Sequence, residues 1–166
     1  KIPDITKMLI THWHGDHVLG IPGLIQTRAM SDTQNPLDIY GPKGIKKQIK
    51  DAFDTFDVRP TFKITVTEVG IGEFFKNDDL SLHALPLKHN IPCVGYTFLE
   101  ADRRRINVDY AKKAGIKEGP LLGELQQGKT ISWQGKKITA EQATTLIPGK
   151  KITFILDTGL TQNCFK

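Results

Sequence analysis

The sequence has 166 residues, of which 39% are hydrophobic and 25% are charged, and its formal net charge is +5 at pH 7. This length suits one domain with a sizeable core, and because the longest apolar runs are only strand-sized, nothing in it resembles a transmembrane span. The two cysteines, Cys93 and Cys164, are too few for a disulfide framework, and we expect them to be free thiols in a reducing compartment.

The first predicted element is a strand over residues 5–10, which leads into a cluster of the form His-x-His-x-Asp-His. The cluster comprises His12, His14, Asp16 and His17. In extended backbone His12 and His14 project to the same side, and Asp16 and His17 follow on the next turn, within reach of a second ion. A His-rich polar loop without metal is the alternative. Because imidazole and carboxylate suit Zn²⁺, this density of ligands favours a metal site.

The rest of the chain alternates between helices and strands. A helix is predicted over Val18–Met30, with its regular part starting near Ile21, because Pro22 fits only in a first turn. The later predicted elements are a strand over 37–40, a helix over 43–56, and strands over 62–69, 80–87, 93–99 and 152–156, the last of them short and buried. This pattern indicates a mixed α/β layer architecture.

Two residues far along the chain are further candidates for the site. His89 follows the strand over 80–87, and Asp157 ends the strand over 152–156 in an Asp-Thr-Gly run. A lone histidine is more often structural, and a lone Asp-Thr-Gly run is often a turn. Beside the first cluster, however, His89 is a candidate third imidazole for the first metal. We interpret His83, which falls in the middle of a strand, as structural.

The positive charge is concentrated in one segment. Residues 100–151 carry 11 Lys and Arg against 6 Asp and Glu, whereas the rest of the chain carries 12 of each. The segment includes Arg103, Arg104, Arg105, Lys112 and Lys113. Such a run is either a solvated surface or a basic arm that docks on a phosphate backbone, where phosphate contacts dominate affinity. The neighbouring metal-ligand cluster favours the basic arm.

The first cluster and its context resemble the metallo-β-lactamase superfamily of binuclear metallohydrolases. The resemblance narrows to the ribonuclease Z family, zinc endonucleases that trim the 3′ trailer from precursor tRNA. The segments that carry it are residues 10–17, 20–24, 89–96 and 107–128, the last containing the Gly119-Pro120 motif of that family's arm. The sequences of residues 100–104 and 155–158 most resemble the archaeal branch of that family.

The resemblance implies an α/β fold, a metallo-β-lactamase αββα sandwich that is incomplete here. The partial core would be residues 1–100 and 150–166, and residues 101–149 would be an inserted flexible arm that binds tRNA. The arm residues implied are Arg103, Arg104, Arg105, Lys112, Lys113, Gly119 and Pro120. The implied partner is precursor tRNA, the implied assembly a homodimer and the implied location the cytoplasm, with no membrane involved.

The resemblance also implies two Zn²⁺ ions and a role for each ligand. His12, His14 and His89 would hold the first ion, Asp16 and His17 the second, and Asp157 would bridge them. Asp16 would also be the general base that takes a proton from the water that attacks the phosphodiester.

The sequence departs from that family by omission. It has no histidine after His89 and stops nine residues after Asp157, whereas the family has a further histidine that ligates the second metal. We therefore expect a chain truncated at both ends, with the second metal site incomplete. Two alternatives stay open: a small-molecule metallohydrolase of the same superfamily, such as a lactonase, thioesterase or arylsulfatase, and an inactive fragment that binds RNA through its arm.

Overall fold

The structure is a computed structural model that describes residues 1–162. Cys93 is a buried free thiol, and Cys164 lies outside the described residues. The chain divides into two compact units, which we call unit 1 and unit 2. Unit 1 contains Lys1–Lys76, Ser81–Phe98 and the residues from Ile152 onward, and unit 2 contains Asn77–Leu80 and Leu99–Lys151.

The described elements alternate along the chain. In chain order they are a 3-10 helix (Ile2–Asp4), β1 (Lys7–Leu9), α1 (Gly15–Val18), α2 (Ile21–Ala29), β2 (Leu37–Gly41), α3 (Ile45–Thr55), β3 (Ile64–Glu68), β4 (Gly72–Lys76), β5 (Leu80–Pro86), β6 (Val94–Glu100), β7 (Arg103–Ile106), α4 (Val108–Lys113), α5 (Pro120–Gln126), β8 (Ile131–Trp133), β9 (Lys136–Ile138), α6 (Ala140–Ala143), β10 (Thr144–Ile147) and β11 (Lys151–Phe154). In residues 1–162 no helix has both the length and the apolar character needed to cross a membrane.

Unit 1 contains a parallel sheet in the order β1-β2-β3. Its hydrophobic core includes Ile39 from β2 together with Ile25 from α2 and Ile45 and Ile49 from α3. These helix residues recur at helical spacing, so one apolar stripe of each helix meets the core while the charged side chains of α3 stay at the surface. The sheet and its helices thereby fix the end of β1, where the histidine cluster begins.

The prediction that the regular part of the helix over Val18–Met30 starts near Ile21 is confirmed, because α2 begins at that residue. The structure has two helices there, α1 and α2, separated by Leu19 and Gly20. Pro22 lies in the first turn of α2, where its missing N–H is not needed for a helical hydrogen bond. The chain therefore starts a new helix at Ile21.

Unit 1 also contains a four-stranded sheet in the order β11-β6-β5-β4. Strand β4 was not predicted from the sequence, because apolar and polar side chains do not alternate clearly along its five residues. The prediction of a buried strand over 152–156 is also wrong: β11 ends at Phe154, and Ile152 and Phe154 are 54% and 50% exposed. An apolar run predicts burial, but β11 lies at an edge of the sheet and has only β6 beside it among the described residues.

Unit 2 is a folded module with its own small core. Strand β7 pairs with β10, and β8 pairs with β9, both antiparallel. The buried apolar residues of this core are Ala111, Ile116, Leu125, Ile131, Ile138 and Ala143. No secondary structure was predicted for the basic segment, which the resemblance implied to be a flexible arm, whereas the structure has three helices and four strands between Arg103 and Ile147.

A buried tyrosine joins the two sheets of unit 1. Tyr96 of β6 is 2% exposed, and its hydroxyl donates to the carbonyls of Ile10 (2.8 Å) and Tyr40 (3.3 Å). The N–H of Ile10 in turn donates to the carbonyl of Tyr40 (2.8 Å). Burial raises the pKa of Tyr96 well above its ordinary value, so the hydroxyl keeps its proton and remains a donor.

We expect Tyr96→Phe to destabilise the protein by about 1–3 kcal/mol, because it removes the hydroxyl donor from two buried carbonyls. Urea unfolding measures the change. Tyr40→Phe is the matched control, since this ring is also buried but its hydroxyl makes no hydrogen bond among residues 1–162. Equal effects of the two substitutions would contradict a role for the Tyr96 hydroxyl.

Candidate metal centre

The first ligand segment is the loop from β1 into α1. His12 lies in this loop and is completely buried. His14 precedes α1 with an extended backbone, and Asp16 and His17 lie within α1. The ring centroids of His12 and His14 are therefore 4.8 Å apart, and those of His12 and His17 are 4.3 Å apart.

The second and third ligand segments are two turns that hydrogen bonds hold together. His89 lies between β5 and β6, and Asp157 lies in a bend beyond the end of β11. The carbonyl of Lys88 accepts from the N–H of Gly159 (2.9 Å) and from the hydroxyl of Thr158 (3.1 Å). These two bonds bring the His89 turn beside the Asp157 bend although the two are far apart in the sequence.

The first group of potential ligands has four members. The ligand atoms of His12, His14, His89 and Asp157 all lie within 4.8 Å of one another. Nδ1 of His14 and Nε2 of His89 are 3.2 Å apart, and Nε2 of His12 is 3.7 Å from Oδ2 of Asp157. Three imidazoles and one carboxylate thus face a common centre.

The second group shares a member with the first. Asp16, His17 and Asp157 have ligand atoms within 4.8 Å of one another. Nε2 of His17 is 3.4 Å from Oδ2 of Asp16 and 3.5 Å from Oδ2 of Asp157. Since Asp157 belongs to both groups, its carboxylate lies where one residue can serve two ions.

The first group has the geometry and chemistry of a metal site. Two nitrogen ligands of one tetrahedral Zn²⁺ at ordinary bond lengths are separated by about 3.3 Å, close to the 3.2 Å between the ring nitrogens of His14 and His89. Nε2 of His12 is buried and has no hydrogen-bond partner among residues 1–162. A buried polar atom without a partner is costly, and a metal ion would satisfy its lone pair. The residues present therefore fit a divalent metal.

The environment keeps the central imidazole neutral. Burial lowers the pKa of His12, and the neighbouring His17, His89 and His14 lower it further, while Asp157 opposes them. A neutral imidazole is the form that ligates a metal, and a proton would compete with the ion. The same burial that makes His12 inaccessible to water thus prepares it as a ligand.

The predicted arginine residues of unit 2 separate into two kinds. Arg103 and Arg105 have exposed side chains, whereas Arg104 lies on the opposite side of β7. Nη2 of Arg104 donates to Glu141 (2.8 Å), and its Nη1 donates to Thr144 (3.2 Å). Arg104 is therefore already paired within unit 2, while Arg103 and Arg105 make no ion pair within residues 1–162.

The remaining predicted residues lie at helix ends or outside the cluster. Lys112 and Lys113 occupy the last turn of α4, and Gly119 directly precedes Pro120, the first residue of α5. His83 is hydrogen-bonded to the hydroxyl of Ser81 at 3.0 Å and is not a member of either ligand group.

Three residues that support the ligands were not predicted from the sequence. They are Thr11, whose hydroxyl is 3.1 Å from Nδ1 of His12, and Lys88 and Tyr96. A signal existed for Thr11, because metal-bound histidines commonly donate their second ring N–H to a neighbouring oxygen. No local signal existed for Lys88 and Tyr96, whose contacts depend on the tertiary fold.

We expect the purified protein to bind Zn²⁺ and His12→Ala to weaken that binding by at least 10–100-fold, the range typical even for loss of an outer-shell partner. Isothermal titration calorimetry of the chelator-treated protein measures the change. His83→Ala is the control, because His83 lies outside both ligand groups, and its affinity should match the wild type. Unchanged affinity in His12→Ala would remove His12 from the ligand set.

Comparison with known proteins agrees with this geometry. A family model described as a beta-lactamase superfamily domain matches residues 1–107. Ribonuclease Z of Thermococcus kodakarensis is 40% identical over 161 residues, which cover 96% of this chain and 50% of that protein. Ribonuclease BN of Escherichia coli is 37% identical over 158 residues, covering 93% of this chain and 52% of that protein. The chain spans about half the length of the curated relatives it matches.

A solved structure is also similar. The crystal structure of human tRNase Z, short form, has a TM-score of 0.53 and 29% identity, over 60% of this chain and 46% of that chain. The predicted resemblance to ribonuclease Z is confirmed, as is the predicted metallo-β-lactamase fold with mixed α/β content. Since the family model covers more than half of the sequence and includes five of the six candidate ligands, the chain belongs to the beta-lactamase superfamily.

Proposed function

We propose that the protein is a zinc-dependent endoribonuclease that removes the 3′ trailer from precursor tRNA. The observation that carries the proposal is the extent of the similarity. The superfamily model ends at residue 107, whereas the match to ribonuclease Z covers 96% of the chain and therefore includes nearly all of unit 2. A small-molecule hydrolase of the same superfamily would account for the ligand cluster but not for the likeness of unit 2.

The ligand cluster would hold two zinc ions. His12, His14 and His89 would bind the first, Asp16 and His17 the second, and Asp157, which belongs to both ligand groups, would bridge them. When bound, zinc acts as a Lewis acid that acidifies water and neutralises charge on a phosphate.

Asp16 is the residue we assign to proton transfer. Its side chain is 76% exposed, so water and a phosphodiester can both reach its carboxylate. Oδ2 of Asp16 would accept the proton of the attacking water as the phosphodiester bond is hydrolysed. Nε2 of His17 lies 3.4 Å from this oxygen, a spacing that suits two ligands of the same ion.

Unit 2 would bind the RNA backbone. Its cavity of about 320 Å³ is lined by Arg103, Arg104 and Arg105 with Gln126 and Ile147. Because Arg104 is paired with Glu141, the two exposed arginines are the ones available to phosphate. The lysines at the end of α4 and the Gly119-Pro120 pair would extend this RNA-binding arm.

A second cavity of unit 2 has a composition that suits RNA. Its volume is about 510 Å³, and its lining includes the rings of Tyr110 and Trp133 and the side chains of Lys113, Lys136 and Lys137. Aromatic rings beside cationic side chains can take an unstacked base and its phosphate. The proposal also includes a homodimer acting in the cytoplasm, as the resemblance to ribonuclease Z implies.

We expect Asp16→Asn to slow single-turnover cleavage of precursor tRNA by about 10²–10⁴-fold, the usual contribution of a general base. Binding of the same RNA, measured by filter retention, should change little because the arm supplies it. Asp32→Asn, at another exposed aspartate, is the control and should cleave normally.

Near-normal cleavage by Asp16→Asn would exclude the proton-transfer role. If the wild type binds precursor tRNA but cleaves neither it nor a small ester, the protein is an inactive RNA-binding fragment. If it hydrolyses a small ester and ignores RNA, it is a small-molecule metallohydrolase.

We expect the double substitution Arg103→Gln and Arg105→Gln to weaken tRNA binding and to flatten its dependence on salt. Each lost phosphate contact should lower the slope of log affinity against log salt concentration by about 0.7–0.9. Hydrolysis of bis-p-nitrophenyl phosphate should stay nearly unchanged, since unit 2 does not contribute to the ligand groups.

Arg104→Gln is the matched control. It removes the same charge from β7, but its side chain is tied to Glu141 and Thr144, so it should lower thermal stability and leave the salt slope unaltered. If the double substitution leaves affinity and slope unchanged, the basic excess is only a solvated surface.

A further inference from the structure

The innermost ligand has a hydroxyl directly behind it. Thr11 is 7% exposed, and its Oγ1 is 3.1 Å from Nδ1 of His12. The other ring nitrogen, Nε2, faces the remaining ligands and lacks a hydrogen-bond partner in the described part of the chain. The two nitrogens of one buried imidazole therefore have different surroundings.

The position of the single proton of a neutral imidazole decides whether His12 can ligate. With the proton on Nε2, the N–H would face Oδ2 of Asp157 at 3.7 Å, beyond hydrogen-bond distance, and this nitrogen could not bind a metal. With the proton on Nδ1, the N–H donates to Oγ1 of Thr11 at 3.1 Å and leaves a lone pair on Nε2. Only the second tautomer satisfies both the hydrogen bond and the ligand role.

The hydroxyl is held on a rigid part of the fold. The carbonyl of Thr11 accepts from the N–H of Val94 in β6 (2.9 Å), so its backbone is fixed to the second sheet. The preceding residue, Ile10, is bonded through its N–H to Tyr40 and through its carbonyl to the hydroxyl of Tyr96. A threonine side chain has few χ1 rotamers, so a fixed backbone also limits where Oγ1 can lie.

We propose that Thr11 is a positioning residue of the metal centre: its Oγ1 accepts a hydrogen bond from the Nδ1–H of His12, which fixes the tautomer and directs the Nε2 lone pair toward the ion. Thr11 is not a member of either ligand group and would act only through His12. The proposal rests on the part of the proposed function in which His12 is a ligand, and it is independent of the RNA substrate.

The test compares Thr11→Val with Thr11→Ser. Valine keeps the branched shape and loses the acceptor, whereas serine keeps the hydroxyl and loses a methyl group. We expect Thr11→Val to weaken Zn²⁺ affinity about 10–100-fold, as for loss of other outer-shell partners, and Thr11→Ser to stay within about threefold of the wild type. Competition with a chromophoric zinc chelator measures the affinities.

A second readout needs no metal and no activity. In the metal-free wild type labelled with ¹⁵N-histidine, two-dimensional NMR should identify Nδ1 of His12 as the protonated nitrogen and Nε2 as the unprotonated one. Thr11→Ser should keep this pattern, and Thr11→Val should show both tautomers. Because the wild-type spectrum is informative by itself, failure of a variant to fold, which circular dichroism detects, leaves the proposal testable.

Three results would overturn the proposal. They are unchanged affinity in Thr11→Val, an equal loss of affinity in Thr11→Ser, and a proton on Nε2 in the wild-type spectrum. Zinc affinity unchanged by His12→Ala would instead remove the ligand role on which the proposal rests. Loss of affinity in His12→Ala without loss in Thr11→Val refutes only the role of Thr11.

Discussion

The structure around the candidate centre depends on one constraint, the complete burial of the His12 imidazole beneath five other potential ligands. A buried ring with one free nitrogen must face something that accepts its lone pair, or folding loses the free energy of an unmade bond. The segment that leads to this ring is bonded to both sheets, because the Tyr96 hydroxyl of β6 donates to Ile10 and to Tyr40 of β2, and the N–H of Val94 donates to Thr11. The ligands therefore belong to a scaffold whose strands end where the ions would lie.

In the proposed function, bond cleavage and RNA recognition belong to different units of the chain. All six candidate ligands lie in unit 1, and the predicted basic residues lie in unit 2, which has its own apolar core. A metal cluster interacts with a phosphate and its immediate neighbours, so discrimination between RNA molecules has to come from contacts made elsewhere. Separate cores allow the surface of unit 2 to vary without disturbing the ligand geometry of unit 1.

The local parts of this arrangement were predictable from sequence, and the long-range parts were not. The His-x-His-x-Asp-His spacing predicts ligands on an extended segment and its turn, because it depends only on backbone periodicity. His89 and Asp157 were candidates because each follows a predicted strand, and the first cluster favoured His89 as a third imidazole, whereas the bridging role of Asp157 came only from the resemblance to a family. The bonds from Gly159 and Thr158 to Lys88 that bring them together are tertiary contacts without a sequence signature.

Burial of β11 was wrongly predicted for a related reason: an apolar run does not specify whether a strand lies at the edge of a sheet. The arginine triplet carries three equal charges in the sequence, and only strand alternation and the Glu141 partner separate Arg104 from its neighbours.

The buried and closely packed imidazoles that suit the cluster to a metal ion also make protonation of His12 unfavourable in the folded protein. Burial and the neighbouring imidazoles lower the pKa of His12 below its ordinary value of 6.5. Between that pH and the lowered pKa of the folded state, the unfolded chain binds a proton that the folded chain does not, so acidification through this window reduces the free energy of unfolding. A bound ion acts in the opposite direction. A ligand that binds only the folded state raises the free energy of unfolding by about 2.7 kcal/mol when its free concentration is a hundred times its dissociation constant. An ion bound by these ligands would therefore also stabilise the fold of unit 1, because the lone pairs that bind it are available only in the folded chain.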